Sequence, residues 1–293
     1  MYGRRLRGIL LGIVVVGVNI LLVATLVVAT SSRSVSGFLS MDTDDPASTQ
    51  ATSPARTPSP LTSIPGPAVT GENGAPAAVG EQFATGDPLS VVVLGDQTGT
   101  HEDDWVQAWA RTLAQVRPVS LLSPRATDPT IYEEPVSMGA EQPGPGNGLI
   151  TIRNASIVGA SPGYVAPRLP LLVPEDTDVA ILSFGRSNSP TDIDTDLSAL
   201  STALRAAVPT AQILVVVQPP RQDGEPVLDG LVRDWAEESR LATIDVAAEF
   251  AEQGIIDETV STRDPLSVNI LGGLTWAGLV QDAVFGPLPE SGE

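Results

Sequence analysis

The chain has 293 residues, with 35 acidic against 16 basic side chains and one histidine, and a formal charge of −19 at pH 7. Absence of cysteine excludes disulfides, thiolate metal sites and cysteine nucleophiles. All 16 basic residues are arginine, which removes Schiff-base chemistry and a Walker-type phosphate lysine, and the lone imidazole of His101 removes any mechanism needing two.

Residues 1–40 carry a charge of +4, residues 41–85 carry −4, and the remainder carries −19. So acidic a body repels polyphosphate backbones, and nucleic acid is not expected as a partner. Ile9 to Ala29 is an uncharged run with only Asn19 and Thr25 polar. As a helix it spans about 30 Å, the thickness of a bilayer core. Arg4, Arg5 and Arg7 precede it, so the positive-inside rule predicts a cytoplasmic N-terminus (1–8), a single transmembrane helix (9–30) and an extracytoplasmic remainder in the cell membrane. A cleavable signal peptide is the rival; its apolar core is usually shorter, and Ala29-Thr30-Ser31 matches a small-x-small site poorly.

Residues 31–86 read as a disordered linker. Positions 41–85 hold seven prolines and eleven Ser/Thr, too little apolar surface to offset ordering entropy. From residue 87 to 287 short apolar runs alternate with helical patterns, and 288–293 form a tail. Strands are predicted at Ser90–Leu94, Leu149–Arg153, Asp178–Phe184, Gln212–Val217 and Leu241–Asp245, several apolar on both faces, as parallel strands covered from two sides are. Thr100 with Asp103, and Thr191 with Asp194, resemble capping boxes that open two helices. Further helices are predicted over Val227–Ser239 and Val268–Phe285. The acids at 102–104 and 192–196 are placed in first helical turns, and the four tryptophans on apolar helix faces. Alternating β and α elements imply an α/β fold, a three-layer α/β/α sandwich with a central parallel sheet and its site at the carboxyl ends of the strands.

Four loops there carry the chemistry: Gly95-Asp96-Gln97, Gly159, Gly185-Arg186-Ser187-Asn188, and Asp264-Pro265-Leu266-Ser267. Their order and spacing, with Gln218-Pro219-Pro220 and Ile244-Asp245-Val246 as context, resemble the SGNH/GDSL hydrolase family over about residues 89–285, a flavodoxin-like arrangement. The resemblance implies a nucleophilic serine in the first block, an oxyanion hole completed by a glycine and an asparagine, and an Asp-x-x-His block supplying base and orienting acid. Here Gln97 stands at the nucleophile position and Ser267 at the base position. Ser187 takes the asparagine position with Asn188 one place late. Gly95, Asp96, Gly159, Gly185 and Asp264 fit. An amide does not attack esters and a hydroxyl is no base near neutral pH. Losing nucleophile or base costs a serine hydrolase on the order of 10⁶ in turnover.

The reading that follows is an inactive hydrolase-like protein that binds a cell-envelope ligand or partner. The first alternative is a divergent esterase or acyltransferase of acylated envelope glycans or lipids, with Thr98 or Ser267 as nucleophile and His101 as base. The second is a structural subunit of an envelope complex. Beside Glu102, Asp103 and Asp104, His101 reads more simply as an exposed residue. Asp96 is expected to satisfy loop N–H groups and Arg186 to pair with an acid rather than a ligand anion. An Asp96–Asp264 pair would suit a hard cation or glycoside chemistry only with further acids at these loops, so neither metal nor cofactor is expected. Asn154-Ala155-Ser156 matches a glycosylation sequon.

Overall fold

A computed structural model describes residues 75–139, 142–219, 227–259, 261 and 266–286, all within the unit Thr62–Glu293. The apolar run 9–29, most of the linker, Asp264 and the tail lie outside them. Among the described residues no helix is long and apolar enough to cross a membrane.

In chain order the elements are α1 (Ala75–Thr85), β1 (Leu89–Gly95), α2 (Trp105–Leu113), β2 (Val119–Leu122), β3 (Pro124–Arg125), β4 (Asp128–Tyr132), β5 (Val136–Met138), β6 (Ile150–Ser156), α3 (Pro162–Val165), α4 (Leu169–Leu172), β7 (Val179–Ser183), α5 (Ile193–Ala207), β8 (Gln212–Val217), α6 (Val227–Glu238), β9 (Ala242–Asp245), α7 (Val246–Gln253), α8 (Ile256–Thr259) and α9 (Ile270–Phe285). Seven strands form one sheet in the order β5-β2-β6-β1-β7-β8-β9. Every pairing is parallel except β2 with β5. Strands β3 and β4 make a separate antiparallel hairpin.

Alternation along β1 divides the core. Val91 and Val93 face a layer made with α1, α2 and α9, where Trp105 stacks on Trp276 at 5.4 Å between ring centroids. Val92 and Leu94 face the opposite layer, with Leu197, Leu200 and Leu204 of α5 and Trp235 of α6. The five predicted strands are all present, as are the three layers and the buried tryptophans.

The linker expectation fails at its C-terminal end. Residues 75–85 form a helix, with Val79 buried and Phe83 stacked on Phe285 at 4.3 Å, so the folded body starts a full helix before residue 87. Both capping boxes also fail. The Thr100 hydroxyl donates to the Gln97 carbonyl at 3.0 Å, closing a turn, and the helix begins only at Trp105, past the acids 102–104. Thr191 is held by the Ser189 hydroxyl at 3.0 Å, and the first-turn acids of α5 are Asp194 and Asp196. Strands β2 to β5 were not expected.

Candidate functional site

The chain reverses its direction of travel across the sheet at β1, which lies between β6 and β7, the place where open α/β sheets leave a crevice. Gly95 at the end of β1 registers with Ser156 of β6 and Ser183 of β7. A Cβ at Gly95 would come within 2.9 Å of the Ser183 carbonyl, so only glycine lets the three strand ends close up. The loops that follow bring Asp96, Gln97, Gly159 and residues 185–188 together.

Asp96 is fully buried. One carboxylate oxygen accepts from the Thr98 N–H (3.1 Å), the Thr98 hydroxyl (2.9 Å) and the Gln218 amide (3.2 Å); the other accepts from the Arg186 N–H at 3.1 Å. Burial pushes its pKa up, while those hydrogen bonds and the Arg186 charge pull it back. Gln218 knots the centre, accepting from the Arg186 N–H (3.0 Å) and donating to the Ser183 carbonyl (2.9 Å). Arg186, 2 % exposed, sends its guanidinium to the carbonyls of Pro219 (3.1 Å) and Leu266 (2.8 Å). It ties three loops together from inside the protein, and its charge acts on the Asp96 carboxylate beside it.

Gln97 begins a short 3₁₀ turn and is 4 % exposed. Its side-chain oxygen accepts from the Gly159 N–H at 3.4 Å and from the Ser187 hydroxyl. Gly159 has a φ of 70°, which favours glycine. The side chain at the nucleophile position therefore lays a carbonyl oxygen on two donors from the second and third blocks. The Gln97 amide nitrogen is buried without a partner, and so is the side-chain oxygen of Asn188, itself 9 % exposed.

The residues of the rival mechanism are not assembled. Thr98 is 1 % exposed, and its hydroxyl is held between Asp96 and Gln218. His101 is exposed; its backbone N–H donates to Asp104 at 2.7 Å, and its ring bonds to neither Thr98 nor Ser267. Ser267 is buried, with its carbonyl accepting from the Ser261 N–H at 3.2 Å. Asp264 lies outside the described residues. Among those residues no cluster of three or more metal-ligating side chains occurs. Asn154 of the sequon is 1 % exposed and donates to the Gly99 carbonyl at 2.6 Å, so in the folded chain it is a loop brace. The central role of Gln218 goes beyond what the sequence indicates; its one signal there is a polar residue ending the apolar run Ile213–Val217.

No family model matches the chain, and no curated protein matches it. Among solved structures it is similar to a two-domain esterase active on acetylated mannans, at 16% identity and a TM-score of 0.54 for the mannopentaose co-crystal, over 77% of this chain and 59% of that one. It is also similar to a peptidoglycan O-acetylesterase, at 12% identity and a TM-score of 0.51, over 70% of this chain and 92% of that one. The chain thus spans somewhat under two thirds of the two-domain esterase. At such identities the likeness is one of fold, and with the strand order and the placement of the loops it gives this domain the SGNH/GDSL hydrolase fold.

Proposed function

We propose that this chain is a non-catalytic protein of SGNH-hydrolase fold that binds an acylated glycan or a protein partner of the cell envelope. Residues 9–30 would anchor it in the membrane, with the folded domain on the extracytoplasmic side. The observation that carries the loss of catalysis is the seat of the Gln97 amide. Its oxygen lies on the Gly159 N–H and the Ser187 hydroxyl, donors that a substrate carbonyl would need, and it brings no nucleophile. The acylated-glycan class is supported by the solved structures of the same fold, which act on acetylated mannans and acetylated peptidoglycan. The anchor is supported by the uncharged run and the arginines before it.

The full-length chain in neutral detergent, treated with a fluorophosphonate probe and with p-nitrophenyl acetate, tests the reading. We expect no label and hydrolysis at the buffer rate, with retention on immobilised acetylated mannan. Labelling that disappears in Thr98→Ala or His101→Ala would establish the relocated-nucleophile esterase instead.

A further inference from the structure

Beside the strand-end crevice, between the β3–β4 hairpin and the end of β6, lies a cleft of about 410 Å³. Its lining includes His101, Ser123, Pro124, Arg125, Ser156 and Val158, none of which occupies a position of the family's blocks. Its volume falls in the range of small-molecule sites.

The polar groups of this cleft are free of direct hydrogen bonds, although the charges of Arg125 and His101 act on Asp128 and Asp104. The Arg125 guanidinium, the His101 imidazole and the hydroxyls of Ser123 and Ser156 make no hydrogen bond or ion pair with any described residue. Ser156 lies at the floor of the cleft, 2 % exposed, with its hydroxyl beside Gly95 and Gly99. In a chain of charge −19 the only charged or chargeable side chains in the lining are Arg125 and His101. The facing acids are few: Asp128 registers opposite Arg125 across the hairpin, its carboxyl held below the usual range by the Thr130 hydroxyl and N–H and by the Arg125 charge, and Glu102, Asp103 and Asp104 follow His101. Pro124, Pro129, Ile157 and Val158 supply apolar wall, and Val158 is 70% exposed.

We infer that this cleft binds a carboxylate-bearing sugar. The carboxylate pairs with the planar fork of Arg125, ring hydroxyls bond to Ser123, Ser156 and His101, and the C–H face of the ring lies on Pro124 and Val158. The carboxylate follows from the cleft itself; the choice of a sugar rests on the envelope-glycan reading above.

Calorimetric titration of the full-length chain in neutral detergent with D-glucuronate, D-glucose and acetate tests it. Glucuronate is expected to bind about tenfold or more tighter than either glucose or acetate, a gap of about 1.4 kcal/mol or more. Arg125→Gln should abolish that preference, and Ser156→Ala should weaken glucuronate roughly three- to tenfold. Arg111→Gln, an exposed change on α2, should leave it intact. Equal binding of glucuronate and glucose, or glucuronate binding unchanged by Arg125→Gln, overturns the carboxylate site. Acetate binding as tightly as glucuronate overturns the sugar. Failure of the non-catalytic reading is distinct, since it appears as probe labelling.

Discussion

A single buried acid gives this protein a pH dependence of defined sign. Asp104 is 3 % exposed, and burial pushes its pKa up from 3.8 to about 6, although its carboxylate accepts from the His101 N–H. A carboxyl whose pKa is higher folded than unfolded takes up protons on folding. Its ionisation penalty is absent below about pH 4 and grows as pH rises from 4 to 6, where the unfolded chain is charged and the folded site still resists charge. Above pH 6 the full penalty, on the order of 3 kcal/mol, persists. Asp104→Asn keeps an acceptor oxygen for the His101 N–H and removes the titration. Melting temperatures from pH 3.5 to 7 should show the Asn variant gaining on the native chain between pH 4 and 6, then holding a constant lead. Parallel curves across that range would place the Asp104 pKa elsewhere.

The elements show which parts of the sequence speak for themselves. Strands β1, β7 and β8 were legible because runs such as Val91–Leu94 are buried on both faces and have no other way to satisfy their side chains. Strand β5 was not, because its three residues are short and largely exposed, and the β3–β4 hairpin is equally polar. Helix α1 was hidden for a different reason: it continues a Pro- and Ala-rich stretch, and its order comes from partners far away in sequence. Phe83 stacks on Phe285, and Val79 is 2 % exposed. Arg117, buried and with its pKa lowered by that burial, donates to the Phe83 carbonyl at 3.0 Å and to the Gly148 carbonyl, with its guanidinium 5.2 Å from the Phe83 ring centre. Starting the chain at Asp87 would expose this apolar surface and strip Arg117 of one acceptor. Against a chain starting at Ala75, the shorter one should lose about 3 kcal/mol in urea unfolding. Equal midpoints would show that α1 decorates the fold without supporting it.

At the scale of the whole molecule, sequence order indicated which loops meet at the strand ends, and local chemistry concealed how their side chains bond there. Gly95, Gly159 and Gly185 could be placed because strand ends and glycines punctuate the chain. That the Gln97 oxygen turns back onto Gly159 and Ser187 could not, since it depends on a side-chain rotamer and on loops 62 and 90 residues apart. On the non-catalytic reading proposed above, the same geometry makes the loss of chemistry reversible in principle. The scaffold beneath is intact: Asp96 fixes both loops, Gln218 fixes Asp96, and Arg186 holds the Leu266 carbonyl one residue from the base position. Restoring only one missing group should do nothing, because nucleophile and base act as a unit. Gln97→Ser clears the donors but leaves Ser267, which takes no proton near pH 7, and Ser267→His leaves an imidazole with nothing to activate. The double variant Gln97→Ser/Ser267→His supplies both on an unchanged frame. Its p-nitrophenyl acetate hydrolysis should exceed that of either single variant by roughly tenfold or more, with fluorophosphonate labelling on residue 97. A correctly folded double variant no faster than Gln97→Ser would show that this crevice has diverged in its frame as well as in its reactive groups.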